Sequence, residues 1–425
     1  MEQLLHYVWK HKLFPLSPLT TTWHQAVEVI DPGLHNRNAG PDFFNAKIKL
    51  NGTLWVGNVE IHDKASDWYV HGHDKDERYD NIILHVCGTI DVEAKNSKGE
   101  PLVQLQLDIP ENVSKHYQEL LSIDQYPPCY QIIPSLTRLT VHSWMSALQT
   151  ERLSQKTDAK QCNGDWENAY FVTLARNYGF GINGDAFEQW AYHLPLRAVD
   201  HHRDDLFQIE AIFLGQAGLL ELNTIPERYQ KDALNDGYFS RLRNEYLYLS
   251  HKFSLQPMDY KQWRFLRLRP QNFPHIRISQ LANLYYNRRA GLSQLLEAST
   301  VKEAKQVLST SVTEYWETHY TFGSTSIRNE KHLSPFSLNL LIINTVVPIL
   351  FAYGRHRGEE KYCDRAFDFL EELKAENNHI VRMWKECGLP VENAGDSQAL
   401  IQLKKEYCDK KECLRCRIGY EYLKR

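Results

Sequence analysis

Up to about residue 110 the chain alternates apolar and polar positions in short runs broken by turn residues, the period-two signature of half-buried strands. AVEVIDPG, FFNAKIKL, TLWVGNVEIH, NIILHVCGTIDVEA and PLVQLQLDI are such runs. Asn51-Gly52 joins the second run to the third, and this dipeptide tolerates the positive φ angles of a tight hairpin. NSKGE, another turn composition, joins the last two. A helix over 2–11 precedes the strands, and a helical or turn segment over 66–79 separates the third from the fourth. The predicted order is helix, strand, hairpin, helix, strand, with one further strand.

Past the Pro-rich break IDQYPPCYQIIPS the apolar spacing changes to three and four, as in NAYFVTLARNYG, LFQIEAIFLGQAGLL and YCDRAFDFLEELKAENNHIVRMWKECG, and this predicts helices only from about residue 135 onward. Gly218, Gly354 and Gly388 occupy expected C-cap positions, and Ser334-Pro335 marks a helix start. No repeat period is visible. The expected architecture is α+β: an α/β domain over 1–125 with a mixed sheet, then a large all-helical region over 135–425.

Composition narrows the class. The chain has 425 residues, 42% hydrophobic and 24% charged, a globular profile rather than a disordered or fibrous one. Its net charge is -4, so any attraction for nucleic acid must come from a local basic surface. The longest apolar run, over 338–354, contains Asn344 and Pro348 and is shorter than the roughly 20 residues needed to cross a bilayer. With no small-residue cleavage site after the N-terminal apolar stretch, the expectation is a cytoplasmic protein with no membrane partner and reduced thiols.

The segment 40–62, GPDFFNAKIKLNGTLWVGNVEIH, holds the first chemistry. If a three-residue loop over 51–53 closes the hairpin, Leu50 pairs with Leu54, Asp42 falls opposite His62, and Glu60 is diagonal to it. Strand periodicity puts Asn58, Glu60 and His62 on one face. Two carboxylates and an imidazole then form a plausible site for magnesium or manganese.

Pro41-Asp42, a hairpin, then Glu60-Ile61-His62 resembles the PD-(D/E)XK nuclease core, whose αβββαβ order matches the predicted elements over about the first 95 residues. The resemblance implies metal-dependent cleavage of DNA or RNA, with Asp42 and Glu60 holding the ion. His62 stands where that family has lysine, and it would orient or deprotonate the attacking water. Lys47, Lys49 and Lys64 are alternative sources of a displaced ammonium. Through GPDFFNAKI, GNVEIH, EAIFLGQAG, PHIRISQLA and NAGDSQALIQLKKEYCDKKECLRCRIG the whole chain also resembles an uncharacterised bacterial family, domain of unknown function number 2851, which implies one shared architecture and no established activity.

Three further clusters stand out. His62, His71, His73 and His85 are close in sequence; HGHDK departs from zinc-hydrolase motifs because Lys75 replaces their Asp, and His71 and His73 are expected to approach the Asp42 and Glu60 site. Cys408, Cys413 and Cys416 form C-x4-C-x2-C with Cys387 as the obvious fourth thiolate, a set suited to zinc or a [4Fe-4S] cluster. Cys87, Cys129, Cys162 and Cys363 are scattered. Clustered C-terminal cysteines also resemble those of RecB-type nucleases. Finally, 260–296 contains no Asp or Glu, and Arg264, Arg267, Arg269 and Arg277 alternate with aromatic residues, a composition that suits phosphates and unpaired bases. The GxGxxG match at Gly179, Gly181 and Gly184 follows a helix and lacks the strand that a phosphate cradle needs. The leading expectation is a metal-dependent nuclease; the alternative is a non-catalytic nucleic-acid-binding or scaffold protein with a structural metal site.

Overall fold

The computed structural model describes residues 1–14, 17–36, 38–158, 164–194, 196–289 and 291–425; Cys162 lies outside them. Contacts divide the chain into two units. The first comprises Met1–Trp144, Glu386–Leu389 and Leu403–Arg425; the second comprises Met145–Lys385 and Pro390–Gln402.

In the first unit the N-terminal helix α1 (Glu2–Lys10) precedes strands β1 (Leu19–Thr20), β2 (Ala26–Asp31), β3 (Leu34–His35), β4 (Phe43–Leu50) and β5 (Thr53–Lys64). A short helix α2 (Asp67–Val70) and two 3-10 turns lead to β6 (Ile82–Thr89) and β7 (Gln104–Gln106), followed by α3 (Glu111–Ser122). The sheet order is β1-β2-β4-β5-β6-β7, with β3 paired to β4. β2, β4 and β5 run antiparallel, whereas β5, β6 and β7 are parallel. Each predicted strand run forms, and the short strands β1 and β3 add to them.

The hairpin closes more tightly than the sequence analysis expects. Leu50 pairs with Thr53, leaving a two-residue turn in which Asn51 and Gly52 both have positive φ, 47° and 84°, the backbone that matches the twist of flanking strands. Pairing then runs from Lys49 with Leu54 to Ala46 with Gly57, and shifts so that Phe43 meets Val59. Asn45, at φ 56°, absorbs the extra residue of this bulge. The predicted pairing of Asp42 with His62 is therefore corrected: Asp42 stands opposite Glu60.

Two faces of the sheet carry different jobs. Val59, Ile61, Leu84 and Val86 are fully buried on the side covered by α1; a methyl group added at Gly88 would lie 3.2 Å from Leu5 Cδ1. On the opposite side Glu60, His62 and His85 are just as buried, beneath Trp68 and Tyr79 from the crossover. Burying each large apolar side chain contributes roughly 1.5–3 kcal/mol, which holds this polar row in place from both ends.

The second unit is mostly helical around a core that includes Tyr170, Phe187, Trp190 and Phe213. Two corrections apply. A small hairpin, β8 (His319–Thr321) with β9 (Ser324–Thr325), interrupts the expected run of helices where Gly323 takes φ +71°. Gly354 lies inside the helix Val347–Arg357, and Gly358 at φ 69° makes the C-cap. Gly218 and Gly388 do take the left-handed conformation, and Ser334 caps a helix whose first residue is Pro335.

The apolar run continues as one helical stretch over Pro335–Arg357, long and apolar enough by composition to span a membrane, with 67% of the window buried. This corrects the expectation of a run too short to cross a bilayer: Pro348 suggests a break in the sequence, but the helix continues through it. The turn before it widens into a π-helix, Ile342–Val346, and the Asn344 carbonyl that faces the proline accepts instead from Asn177 Nδ2 at 2.9 Å, so no helix bond is orphaned.

His275, in the helix Pro274–Tyr286, is buried among Phe265, Trp316 and Phe322, and burial lowers its pKa from 6.5 to about 3. The unfolded chain takes up this proton first, so stability is present above pH 6.5 and falls as pH drops toward 3, by about 1.4 kcal/mol per unit at most. In urea titrations, His275→Phe should lose less stability between pH 6.5 and 4 than the parent. Parallel curves would show that His275 is not the titrating group.

Candidate functional site

The bulge decides what meets at the start of β4. With Asp42 opposite Glu60, the Asp42 backbone N–H donates to Glu60 Oε2 at 3.0 Å, and the Ile61 N–H donates to Asp42 Oδ2 at 3.0 Å. Glu60 Oε1 is 3.2 Å from His73 Nε2 and 3.9 Å from His62 Nε2. His6, on α1, brings its Nε2 to 3.4 Å from Asp42 Oδ2. Asp42, Glu60 and His62 thus come together as expected, and His71 and His73 join them from the crossover.

Ligand atoms of His62, His71 and His73 all lie within 4.8 Å of one another, close enough to share one ion. Among the described residues this is the single His, Cys, Asp or Glu trio that does so. No lysine contacts Asp42 or Glu60 among the described residues: Lys47 and Lys64 are exposed, and Lys49 Nζ is 3.1 Å from Glu28 Oε2. Among the described residues no lysine ion pair or hydrogen bond reaches the imidazole at position 62.

Electrostatics follow from burial. Desolvation raises the Glu60 pKa, and the Asp42 charge adds to the rise against the His73 contact. Burial lowers the His62 pKa to about 2, helped by His85, His73 and His71, and lowers His85 to about 4. At His6 burial opposes the charged ring, but the Asp42 carboxylate outweighs it and raises the pKa. The result is two neighbouring carboxylates, one of them buried, beside the neutral rings of His62 and His85, an arrangement that a cation relieves.

A hydrogen-bond relay orients His62. Gln104 is set by two backbone partners, donating from Nε2 to Val92 O at 3.2 Å and accepting at Oε1 from Ala94 N at 3.2 Å. Its Nε2 also faces His85 Nδ1 at 3.4 Å, and an amide nitrogen only donates. His85 Nδ1 is thereby assigned as the acceptor, so His85 Nε2–H donates to His62 Nδ1 at 2.9 Å. His62 then carries its proton on Nε2 and donates to His71 Nδ1 at 3.1 Å. This polarity presents an N–H to the site.

A family model described as Protein of unknown function (DUF2851) matches residues 2–379, most of the 425-residue chain. The chain belongs to that family. No curated protein and no solved structure matches it. The DUF2851 description carries no chemistry, so the site must be read from its geometry. The matched residues include the whole histidine and carboxylate group and end before Cys387.

Elsewhere in this DUF2851 chain the expected residues divide. Arg264, Arg267 and Arg269 are exposed. Arg277 is not available: it is buried, donates to Gln280 Oε1 at 2.8 Å and Asn272 Oδ1 at 2.6 Å, and lies 4.4 Å from the Phe180 ring centre. The neighbouring aromatics Trp263 and Tyr285 are likewise buried in the core. Cys408, Cys413 and Cys416 line one cavity of about 360 Å³, but the fourth cysteine on its wall is Cys129, and Cys387 is absent from it. Position in sequence favours Cys387, whose segment Glu386–Leu389 belongs to the same unit; the fold also brings the 123–129 turn against the C-terminal segment, and this puts Cys129 on the cavity wall. Gln104 and His6 carried no sequence signal, one being a strand polar residue and the other an apparent surface position of a helix.

Gln104→Glu would place an acceptor against His85 and reverse the relay, baring the His62 Nε2 lone pair. Cobalt(II) affinity, read from visible absorption or calorimetry, should rise about tenfold or more, the scale of changes in groups behind metal ligands. Unchanged affinity would contradict the assigned polarity.

Proposed function

We propose that the first unit is a metal-dependent phosphodiesterase acting on DNA or RNA, with Asp42 and Glu60 as the carboxylates that hold the ion. The observation that carries this reading is the meeting of Asp42, Glu60 and His62 through one bulged hairpin, with Asp42 N donating to Glu60 at 3.0 Å. The element order supports it: apart from the short strands β1 and β3, a helix, three antiparallel strands, a crossover with a short helix and then a parallel strand run in the αβββαβ order of the PD-(D/E)XK core.

The donor set fits a divalent cation, since Glu60 is buried beside another carboxylate and its pKa is raised by that burial. Carboxylates favour magnesium or manganese, and the added imidazoles of His71 and His73 tilt the preference toward manganese. A bound ion of this kind polarises a phosphodiester and makes a water more acidic. Asp42 and Glu60 position it at the sheet, while His6 and the Ile61 N–H hold Asp42 in place. His62 is held neutral, with a pKa lowered to about 2 by burial. It therefore stays a neutral donor whose Nε2–H fixes His71 through Nδ1, and it stands in the place of the lysine without supplying its charge. General-base action is not assigned to it.

Nucleic acid is the substrate class because exposed Arg264, Arg267 and Arg269 on the second unit supply guanidinium groups without acidic neighbours in sequence. Their role is backbone attraction; the buried aromatics nearby provide no stacking surface.

With manganese or magnesium, the full chain should cleave generic oligonucleotides, and Glu60→Gln should slow this by at least about 100-fold while leaving the melting temperature equal or higher, because it removes a buried repelling charge. Equal rates for parent and variant would assign the cleavage to a contaminant, and a parent inert with both metals would favour the non-catalytic alternative. Replacing Arg264, Arg267 and Arg269 with Ala should lower the logarithmic salt slope of oligonucleotide binding by about one unit per lost phosphate contact. An unchanged slope would make them ordinary solvated arginines.

A further inference from the structure

The cavity that takes in Cys129 lies within the first unit, between the 123–129 turn and the segment 407–419. Its walls carry four cysteines from two distant stretches of chain. Cys129 is 8% exposed and Cys416 is 7% exposed; Cys408 and Cys413 are half-buried, and all four are free thiols. Buried thiols are common as small apolar residues. These are not arranged that way, because they face a shared void of about 360 Å³ rather than close-packed side chains.

The backbone is shaped around this void. Gly419 has no room for a side chain, since a methyl group there would stand 2.1 Å from the Cys413 carbonyl oxygen. A four-residue turn over 409–412 joins the π-helix Leu403–Cys408 to the 3-10 turn Cys413–Arg415, and the Cys416 N–H donates to Cys413 O at 3.2 Å. This tight turn points two sulfurs of a C-x2-C pair into the cavity. Tyr126 closes another side, its hydroxyl donating to Asp409 at 3.0 Å.

The spacing of the sulfurs separates two kinds of metal. A single zinc ion with zinc to sulfur distances near 2.3 Å needs its thiolates within about 4 Å of each other. No three of these sulfurs lie within 4.8 Å of one another. A cubane cluster, by contrast, binds each cysteine at a different iron and spreads the four sulfurs over its corners.

We propose that Cys129, Cys408, Cys413 and Cys416 hold a [4Fe-4S] cluster that pins the C-terminal segment to the turn following α3. On binding, each cysteine gives its S–H proton to solvent and its thiolate bonds to one iron. This site is separate from the proposed phosphodiesterase centre and does not depend on it.

The test uses the full chain purified without oxygen, or reconstituted anaerobically with ferrous iron and sulfide. About four iron and four acid-labile sulfide per chain are expected, with visible charge-transfer absorption. Cys129→Ala should lose the sulfide and most of the iron, whereas Cys387→Ala should keep both. Limited proteolysis should cut the cluster-free chain within 403–425 and spare the loaded chain, because binding free energy here stabilises the docked segment. Parent protein that binds zinc alone, or takes up no iron and sulfide after reconstitution, would overturn the proposal without reference to any variant. Equal loss in Cys387→Ala and Cys129→Ala would overturn the ligand assignment.

Discussion

The bulge at Asn45 governs the first unit. Side chains along a strand alternate faces, so a one-residue change in register sends every following side chain to the other side. The tight turn at Asn51 and Gly52 sets one register from Leu50 to Ala46, and the extra residue then re-aims the strand before Phe43. Without it, Glu60 would lose the backbone N–H of Asp42 and the acidic pair would separate. The α1 helix and the Trp68 crossover cover the two faces that strand alternation creates, Val59 and Ile61 on one and Glu60 and His62 on the other, and the register adds Asp42 opposite Glu60.

Packing a row of polar groups into the middle of a sheet is costly, and an unpaired buried donor or acceptor costs about 1–3 kcal/mol. The chain of Gln104, His85, His62 and His71 meets that demand by passing each donor to the next acceptor. The same chain leaves two carboxylates facing each other with partial compensation from His73 and His6. A paired network that still leaves two carboxylates side by side is a structure prepared for a cation, and stability given up there is consistent with a functional site.

Much of this was legible in the order of residues. Strand periodicity marked β2, β4, β5, β6 and β7, and the shared face of Glu60 and His62 follows from their spacing alone. The register did not, because sequence cannot tell a two-residue turn with a later bulge from a three-residue loop; both keep Asp42 near the second strand. Cys387 and Cys129 show a second limit. Local spacing nominated Cys387, while the cavity that holds Cys408, Cys413 and Cys416 is lined by Cys129, which arrives through a tertiary contact between segments about 280 residues apart. Arg277 shows a third: charge counts say nothing about burial, and here guanidinium bonds to Asn272 and Gln280 replace water. Pro348 concealed a continuous helix because its lost bond is repaired by Asn177, far away in sequence.

The account rests on a divalent ion sitting between Asp42 and Glu60. Anomalous diffraction from crystals grown with manganese, recorded on both sides of the manganese absorption edge, locates such an ion directly. The expected map has one peak within coordination distance of Glu60 and Asp42, about 2.0 to 2.6 Å from their oxygens, with His62 Nε2–H still donating to His71 Nδ1. Ordered carboxylates with no peak between them at saturating manganese would contradict it.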